Sequence, residues 1–218
     1  MGLGSDPQNR FLPEEAMILV GACWQADHLT GGVAVMEASL KQGEKRYRID
    51  RYDERRYTEA EAFRDSVASL VEGEKLQRTK RLFSQDRRPK KRIKDAPKVV
   101  AFDDGGPVVE ALRARGTVVE AVRFVPGEKW KKELLGRALG ADYAVDPTEV
   151  STSAARVIEG GRLAFADPAA EGGFDRLPGA LASLARTRPE QIPAVVLALA
   201  LPLWFRETVP YRRAYRAT

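Results

Sequence analysis

The residues best suited to chemistry are two consecutive carboxylates, Asp103 and Asp104, inside KVVAFDDGGPVVEALRARG from Lys98 to Gly116. Val99 to Phe102 form a short apolar run with β-branched residues, the pattern of a strand covered on both faces. Gly105 and Gly106 permit a tight turn, and Pro107 suits a first helical position. Val108, Val109, Ala111 and Leu112 then recur at helical spacing until Gly116. The aspartates therefore fall at the carboxyl end of a buried strand, where open α/β sheets bind ligands. Paired carboxylates there suit a divalent metal or a general base, and the competing reading is that one of them caps the helix. Asp27, Asp167 and Glu190 are the acids that could join them. His28 beside Asp27 is a candidate base with no visible nucleophile.

Positioning such residues takes a core, and 218 residues with 44% hydrophobic and 31% charged side chains can supply one in a single domain with arms. One cysteine, Cys23, and one histidine exclude an internal disulfide and a His/Cys zinc site. Cys23 itself reads as a small buried core residue. Trp24, Trp130 and Trp204 read as core or interface residues, and Gly160-Gly161 and Gly172-Gly173 as turns. The start MGLGSDPQNR lacks the basic and apolar regions of a signal peptide. The longest apolar run, Ile192 to Phe205, is too short for a membrane span and contains Pro193 and Pro202. A cytoplasmic protein with no membrane partner is expected.

The net charge of +5 is concentrated. From Gly73 to Lys98 the chain holds eleven basic residues and three acids, a net +8 that leaves −3 elsewhere. The cations are Lys75, Arg78, Lys80, Arg81, Arg87, Arg88, Lys90, Lys91, Arg92, Lys94 and Lys98. Such localisation is the electrostatic footprint of a polyanion-binding segment. A solvated charged face is the alternative.

In chain order, residues 1–16 form an arm or linker and 17–205 the domain, with 73–98 as a basic excursion and 206–218 as a basic tail. Met17 to Trp24 is a central strand, Gln25 to Gly32 a turn, Val33 to Leu40 a second strand. Lys41 to Glu44 is a hairpin turn, and Tyr47, Ile49 and Tyr52 mark a third strand. Thr58 caps a helix whose stripe is Ala62, Phe63, Val67, Leu70 and Val71. After the basic excursion, partly helical and exposed, come the strand and helix around Asp103 and a strand over Val118 to Val125. Trp130, Leu134, Leu135 and Leu139 give helical spacing over Lys129 to Leu139. Asp142 to Glu149 reads as loop. Ser151 or Thr152 caps a helix over Ala154 to Glu159, Leu163 to Phe165 is a brief strand, and Leu177 to Leu184 is helical. Ile192 to Phe205 is an element apolar nearly all round, hence buried.

Three antiparallel strands, a helix, a strand, a helix, a strand and further helices follow the order of the RNase H-like fold, an α/β mixed sheet flanked by helices. The stretches ILVGACWQADHLTGGVAVME, VVAFDDGGPVVEALRARG, RVIEGGRLAFADP and IPAVVLALAL resemble the C-terminal nuclease domain of tailed-phage large terminase subunits. The resemblance covers roughly Met17 to Phe205. It implies phosphodiester hydrolysis by one or two divalent metals held by acids from the first strand, the fourth strand and the last helix. Those positions fall on Cys23, on Asp103 or its neighbour Asp104, and on Pro193. A thiol is a poor Mg²⁺ ligand and proline offers none.

The expected function is thus a terminase-nuclease-like domain of viral DNA packaging, catalytically degenerate, without a cofactor, that binds DNA or packaging-motor and other viral proteins. Its compartment would be the host cytoplasm. The first alternative is an active endonuclease using Mg²⁺ or Mn²⁺ at a relocated site built from Asp103, Asp104 and either Glu190 or Asp27, with Asp103 and Asp27 as metal ligands. The second is a protein-docking module without a nucleic-acid role. No Walker A motif is present, so the packaging ATPase is not on this chain.

Overall fold

MILVGACW has no charged residue, and β1 (Met17–Gln25) is accordingly buried along its whole length. The structure, a computed structural model, describes residues 17–41, 44–85, 97–103, 106–127, 131–132, 141–166, 179–180 and 191–209. β1 pairs antiparallel with β2 (Thr30–Lys41) and parallel with β4 (Lys98–Asp103). β2 pairs antiparallel with β3 (Glu44–Arg56), with a bulge opposite Val35 and Met36. β5 (Val119–Phe124) and β7 (Tyr143–Val145) continue the parallel side, and β8 (Leu163–Phe165) runs parallel to β3. With the short β6 (Lys131–Lys132) the sheet has eight strands in the order β6-β7-β5-β4-β1-β2-β3-β8. Antiparallel β1 to β3 joined by parallel β4 and β5 is an RNase H-like mixed sheet, and β1 and β4 are its centre.

Helices cover both faces. α1 (Ala60–Gln85) and α2 (Pro107–Ala114) lie on one face, where Phe63, Val67, Val71, Val108, Val109 and Leu112 are buried with Val20, Val33 and Val99. α3 (Pro147–Glu159) and α4 (Ala194–Thr208) cover the other, packing on Leu19, Cys23, Met36, Tyr47 and Val100. From Ala194 through Phe205 every residue of α4 except Val195 is buried, as its all-round apolar character requires. No helix among the described residues is long and apolar enough to cross a membrane. Every strand except β2 and β6 runs in the direction of β1. The end where β1 stops is termed the upper edge, and the end where it begins the lower edge.

Several elements differ from the sequence reading. α1 does not give way near Gly73 but continues to Gln85. Between Glu74 and Gln85 nearly every residue is a good helix former and none is Gly or Pro, so the helix propagates past its apolar stripe. β3 is longer than the three apolar markers suggested, because backbone pairing with β2 extends along its charged residues to Arg56. The helix expected over Lys129 to Leu139 is replaced at Lys131–Lys132 by a strand that takes up the free edge of β7. Residues 128–130 and 133–140 lie outside the described residues. Asp142 to Glu149 is not a loop: it contains β7 and the start of α3. Asp146, rather than Ser151 or Thr152, caps that helix by accepting from Thr148 N at 2.6 Å, with Pro147 in its first turn. Of Leu177 to Leu184 only Gly179 and Ala180 are described, both helical.

Candidate functional site

The upper edge is where the family positions should converge, and its geometry starts with glycine. A Cβ on Gly21 would lie 1.6 Å from the Ala198 carbonyl oxygen, and one on Gly32 would lie 2.2 Å from the Ala194 carbonyl carbon. α4 therefore rests on the bare backbones of β1 and β2. The approach at Ala198 has a local cause. Pro202 has no N–H, so the Ala198 carbonyl loses its helical partner four residues on. That freed carbonyl is the group turned toward Gly21. Two side chains then fix the entry to α4: Gln25 Nε2 donates to the Ile192 carbonyl at 2.7 Å, and Glu54 Oε2 accepts from Val195 N at 2.9 Å. Gln25 is buried and Glu54 exposed.

Cys23 is fully buried in this packing, on the α4 face. Its neighbour across β4 is Phe102, which packs into the same cluster. Asp103 stands opposite Trp24 and belongs to the other face. There its Oδ2 accepts from Val108 N at 2.7 Å and Val109 N at 2.9 Å. Gly106, at a positive φ of 83°, lets the chain turn so that these amides point back at the strand end. Asp103 thus anchors the first turn of α2. Beside it, Trp24 stacks on Phe63 with ring centroids 5.5 Å apart, and Tyr57 meets both rings edge-on.

Cys23 and Asp103 end neighbouring strands at this one edge. Their strands are adjacent and central, but alternation puts the two side chains on opposite faces of the sheet. Pro193 is the residue just before α4, not within it, with φ −50° and ψ 132°. Asp27 lies exposed on the single 3-10 turn Ala26–His28, together with exposed His28. Asp104, Asp167 and Glu190 lie outside the described residues. Of the three family positions, Cys23 presents a buried sulfur on one face, Asp103 a carboxylate whose Oδ2 accepts two amides on the other, and Pro193 no side-chain ligand. Among the described residues no group of three His, Cys, Asp or Glu could hold a metal. Gln25 and Glu54 escaped the sequence reading. Their signals are a polar residue closing an apolar run and a carboxylate two residues after the partly buried Tyr52 on an alternating strand.

At the lower edge the end of α4 is clasped by charge. Tyr47 donates its hydroxyl to Glu207 Oε1 at 2.5 Å, and Arg162 donates to the same oxygen at 3.0 Å. Lys45 Nζ donates to the Arg206 carbonyl at 2.8 Å. Burial pushes the Lys45 pKa down, with Glu207 offsetting part of it. Burial, then the Glu207 hydrogen bond and charge, raises the Tyr47 pKa. Burial also penalises charged Glu207, but the hydrogen bonds from Tyr47 and Arg162 and the nearby cations outweigh it, so its pKa lies below the ordinary value. Lys98 pairs with Glu120 at 3.1 Å and lies 5.2 Å from the Phe205 ring centroid. Burial, then the charges of Glu120 and Asp142, pushes the neighbouring Tyr143 up to about 12.

The side chains of Lys75, Arg78, Lys80 and Arg81 are not described, although the backbone places these residues on α1. Arg87, Arg88, Lys90, Lys91, Arg92 and Lys94 lie outside the described residues.

Comparison with known proteins gives a similarity to solved structures. No family model and no curated protein matches the chain. A solved structure of the large terminase from the thermophilic bacteriophage D6E is similar, with a TM-score of 0.48 and 9% sequence identity. The similarity covers 91% of this chain and 41% of that one, so the chain spans well under half of that terminase.

Proposed function

We propose that the chain is a DNA-binding domain of the terminase-nuclease kind, acting in viral DNA packaging, in which the RNase H-like fold is kept and the cleavage site is not. The observation that carries this reading is the placement of Asp103. Asp103 Oδ2 accepts two α2 amides, on the sheet face opposite Cys23. The sequence resemblance supplies the DNA-packaging context. The basic run from Gly73 to Lys98 supplies the polyanion contact: it carries a net +8, and its large apolar residues are Leu76, Leu82, Phe83 and Ile93 alone. Its partners are DNA and, through the folded body, proteins of the packaging machinery.

The test is duplex DNA affinity measured by fluorescence anisotropy at several salt concentrations. If about five cations of the run neutralise phosphates, log K falls with log[salt] at a slope of about −4 to −5. Replacing Arg87, Arg88, Lys90, Lys91 and Arg92 by Gln is expected to flatten that slope and leave the melting temperature nearly unchanged. Supercoiled plasmid incubated with Mn²⁺ stays intact. Cleavage that disappears in Asp103→Ala would overturn the degenerate reading, and equal affinities and slopes in parent and variant would move the function to protein docking.

A further inference from the structure

We infer that Leu29, at the tip of the β1–β2 turn, is the anchor by which the folded body docks onto a protein partner, seated in an apolar pocket with a basic rim. This role rests on the protein-partner part of the proposed function and leaves the DNA contact to the basic run.

The turn is short and fixed. β1 ends at Gln25, the 3-10 turn Ala26–His28 follows, and Thr30 opens β2 directly opposite Gln25. Leu29 closes the turn at φ 49° and ψ 37°, in the left-handed region. It is the one non-glycine residue at positive φ among the described residues. That conformation crowds a Cβ against the following carbonyl, and only Gly, Asn and Asp adopt it readily. Hydrogen bonds hold the backbone there. Leu29 N donates to the Ala26 carbonyl at 3.2 Å, and the Leu29 carbonyl accepts from Tyr57 N at 2.8 Å. Thr30 Oγ1 donates to the His28 carbonyl at 3.1 Å. The Tyr57 ring packs edge-on against Trp24 and Phe63, so the tip is tied to the core through β3.

The leucine side chain gives the fold little in return. Leu29 is 44% exposed and belongs to neither hydrophobic cluster, and Ala26, Asp27 and His28 are exposed as well. The other exposed large hydrophobic residue among those described is Val118, at the opposite edge. Asparagine or glycine would suit this backbone better, and a polar residue would suit the solvent. A residue that strains its backbone and buries little of itself points to a contact outside the fold. An apolar side chain on a tip already held in place fills a pocket at small entropic cost.

Charge selects the kind of partner. The two stretches that meet at the tip, residues 26–30 and 53–61, hold Asp27, Asp53, Glu54, Glu59 and Glu61 against Arg55 and Arg56, a net −3 with His28 neutral. Arg55 is itself paired with Asp53. Along the same edge Asp103 and Asp146 add two carboxylates and Arg123 one cation. Such surroundings repel a polyanion, which disfavours nucleic acid as the occupant. The surface that complements them is basic around an apolar centre.

The experiment uses the full chain with Leu29→Asn, which relieves the backbone and removes the anchor, and Leu29→Ala, which removes the anchor alone. Leu29→Asn is expected to melt about 2–4 °C above the parent, and Leu29→Ala at the parental temperature. The probe is a phage-displayed library of random peptides, panned on the parent with counter-selection on Leu29→Asn. The selected peptides are expected to combine large apolar residues with Lys or Arg. Once synthesised and labelled, they should bind the parent more than about 10-fold tighter than either variant, while duplex DNA binds all three proteins alike. A fall in melting temperature in Leu29→Ala would show that the leucine packs as structure and would overturn the anchor. So would a selection that returns no Leu29-dependent peptide, or peptides without basic residues. DNA affinity that drops in both Leu29 variants would assign the tip to nucleic acid. A dimer of the parent in sedimentation that both variants dissolve would assign it to a second copy. Either result overturns the choice of partner. The salt slope of the Arg87 to Arg92 variant tests the DNA contact by itself, so the two readings fail separately.

Discussion

Replacing Gly21 by Ala is expected to cost more stability than any other single-methyl addition to the sheet centre. The added Cβ would lie 1.6 Å from the Ala198 oxygen and 2.9 Å from Pro202 Cγ. Close carbon–oxygen contacts in proteins settle at about 3.3 Å, so α4 must retreat by about 1.5 Å or more. The obstacle is backbone, and no rotamer change can relieve it. The retreat would lift a helix with eleven buried residues off β1, β2 and β4. Overpacking a core costs about 1–3 kcal/mol, and rigid backbone on both sides puts Gly21→Ala at the upper end, about 3 kcal/mol. In a domain of this size each kcal/mol moves the melting temperature by about 2–4 °C, so a fall of about 6–12 °C is expected. Thermal unfolding followed by far-ultraviolet circular dichroism reads it directly. Gly73→Ala is the control: Gly73 lies within α1 with nothing within 4 Å of the added methyl, so the same change should stabilise by about 0.5–1 kcal/mol. A Gly21→Ala protein melting within about 2 °C of the parent would refute the close approach of α4, since a shift that small corresponds to under about 1 kcal/mol.

Asp103→Ala removes the acceptor for two α2 amides and should destabilise by about 1–2 kcal/mol, with Asp103→Asn recovering part of the loss; equal stability of Ala and parent in urea would contradict the anchoring role. Cys23→Asp, which places a carboxylate at the position the resemblance assigns to a ligand, should lower the melting temperature sharply without binding Mn²⁺, because the site is fully buried and burying a charge is costly; a Mn²⁺-dependent rise in melting temperature would disprove this. Glu207 has a folded-state pKa below its ordinary 4.5, so its contribution is present at neutral pH and is lost as pH falls below about 4.5 and through the folded value. The melting temperature of Glu207→Gln should therefore converge with the parent's in acid, and a gap that stays constant from pH 7 to pH 3, a range chosen to span roughly the titration of a carboxylate, would be the contrary result.

The elements that the sequence discloses are those whose pattern is local and strong. β1, β4, α2 and α4 follow from apolar runs with turn residues at their ends, and the element order gives the mixed sheet. α3 was missed at its start although Asp146-Pro147 is a cap followed by a first-turn proline, because the three-residue β7 before it is too short to show alternation. The strand at Lys131–Lys132 is set by the open edge of β7, a tertiary circumstance that local helical spacing does not contain. The length of α1 could have been read from propensity, but an apolar stripe that stops at Val71 draws attention to burial rather than to backbone.

The candidate site resisted reading for a different reason, which is parity. Cys23 and Asp103 each end a buried strand, so both belong to one edge on any reading of the sequence. Whether they share a face depends on the β1–β4 register, and a register shifted by one residue exchanges the faces of a whole strand. The observed register pairs Cys23 with Phe102 and Trp24 with Asp103. From that single offset follow the aromatic cluster beside Asp103, the availability of its carboxylate to α2, and the closure of the Cys23 side by α4. Gly32 directly opposite Cys23, with no room for a Cβ against Ala194, makes the closure mutual. The backbone of α4 closes against β1 and β2 here, and Gln25 and Glu54 hold its start. At this edge α4 contributes packing to both strands, from Ala194 against Gly32 to Ala198 against Gly21.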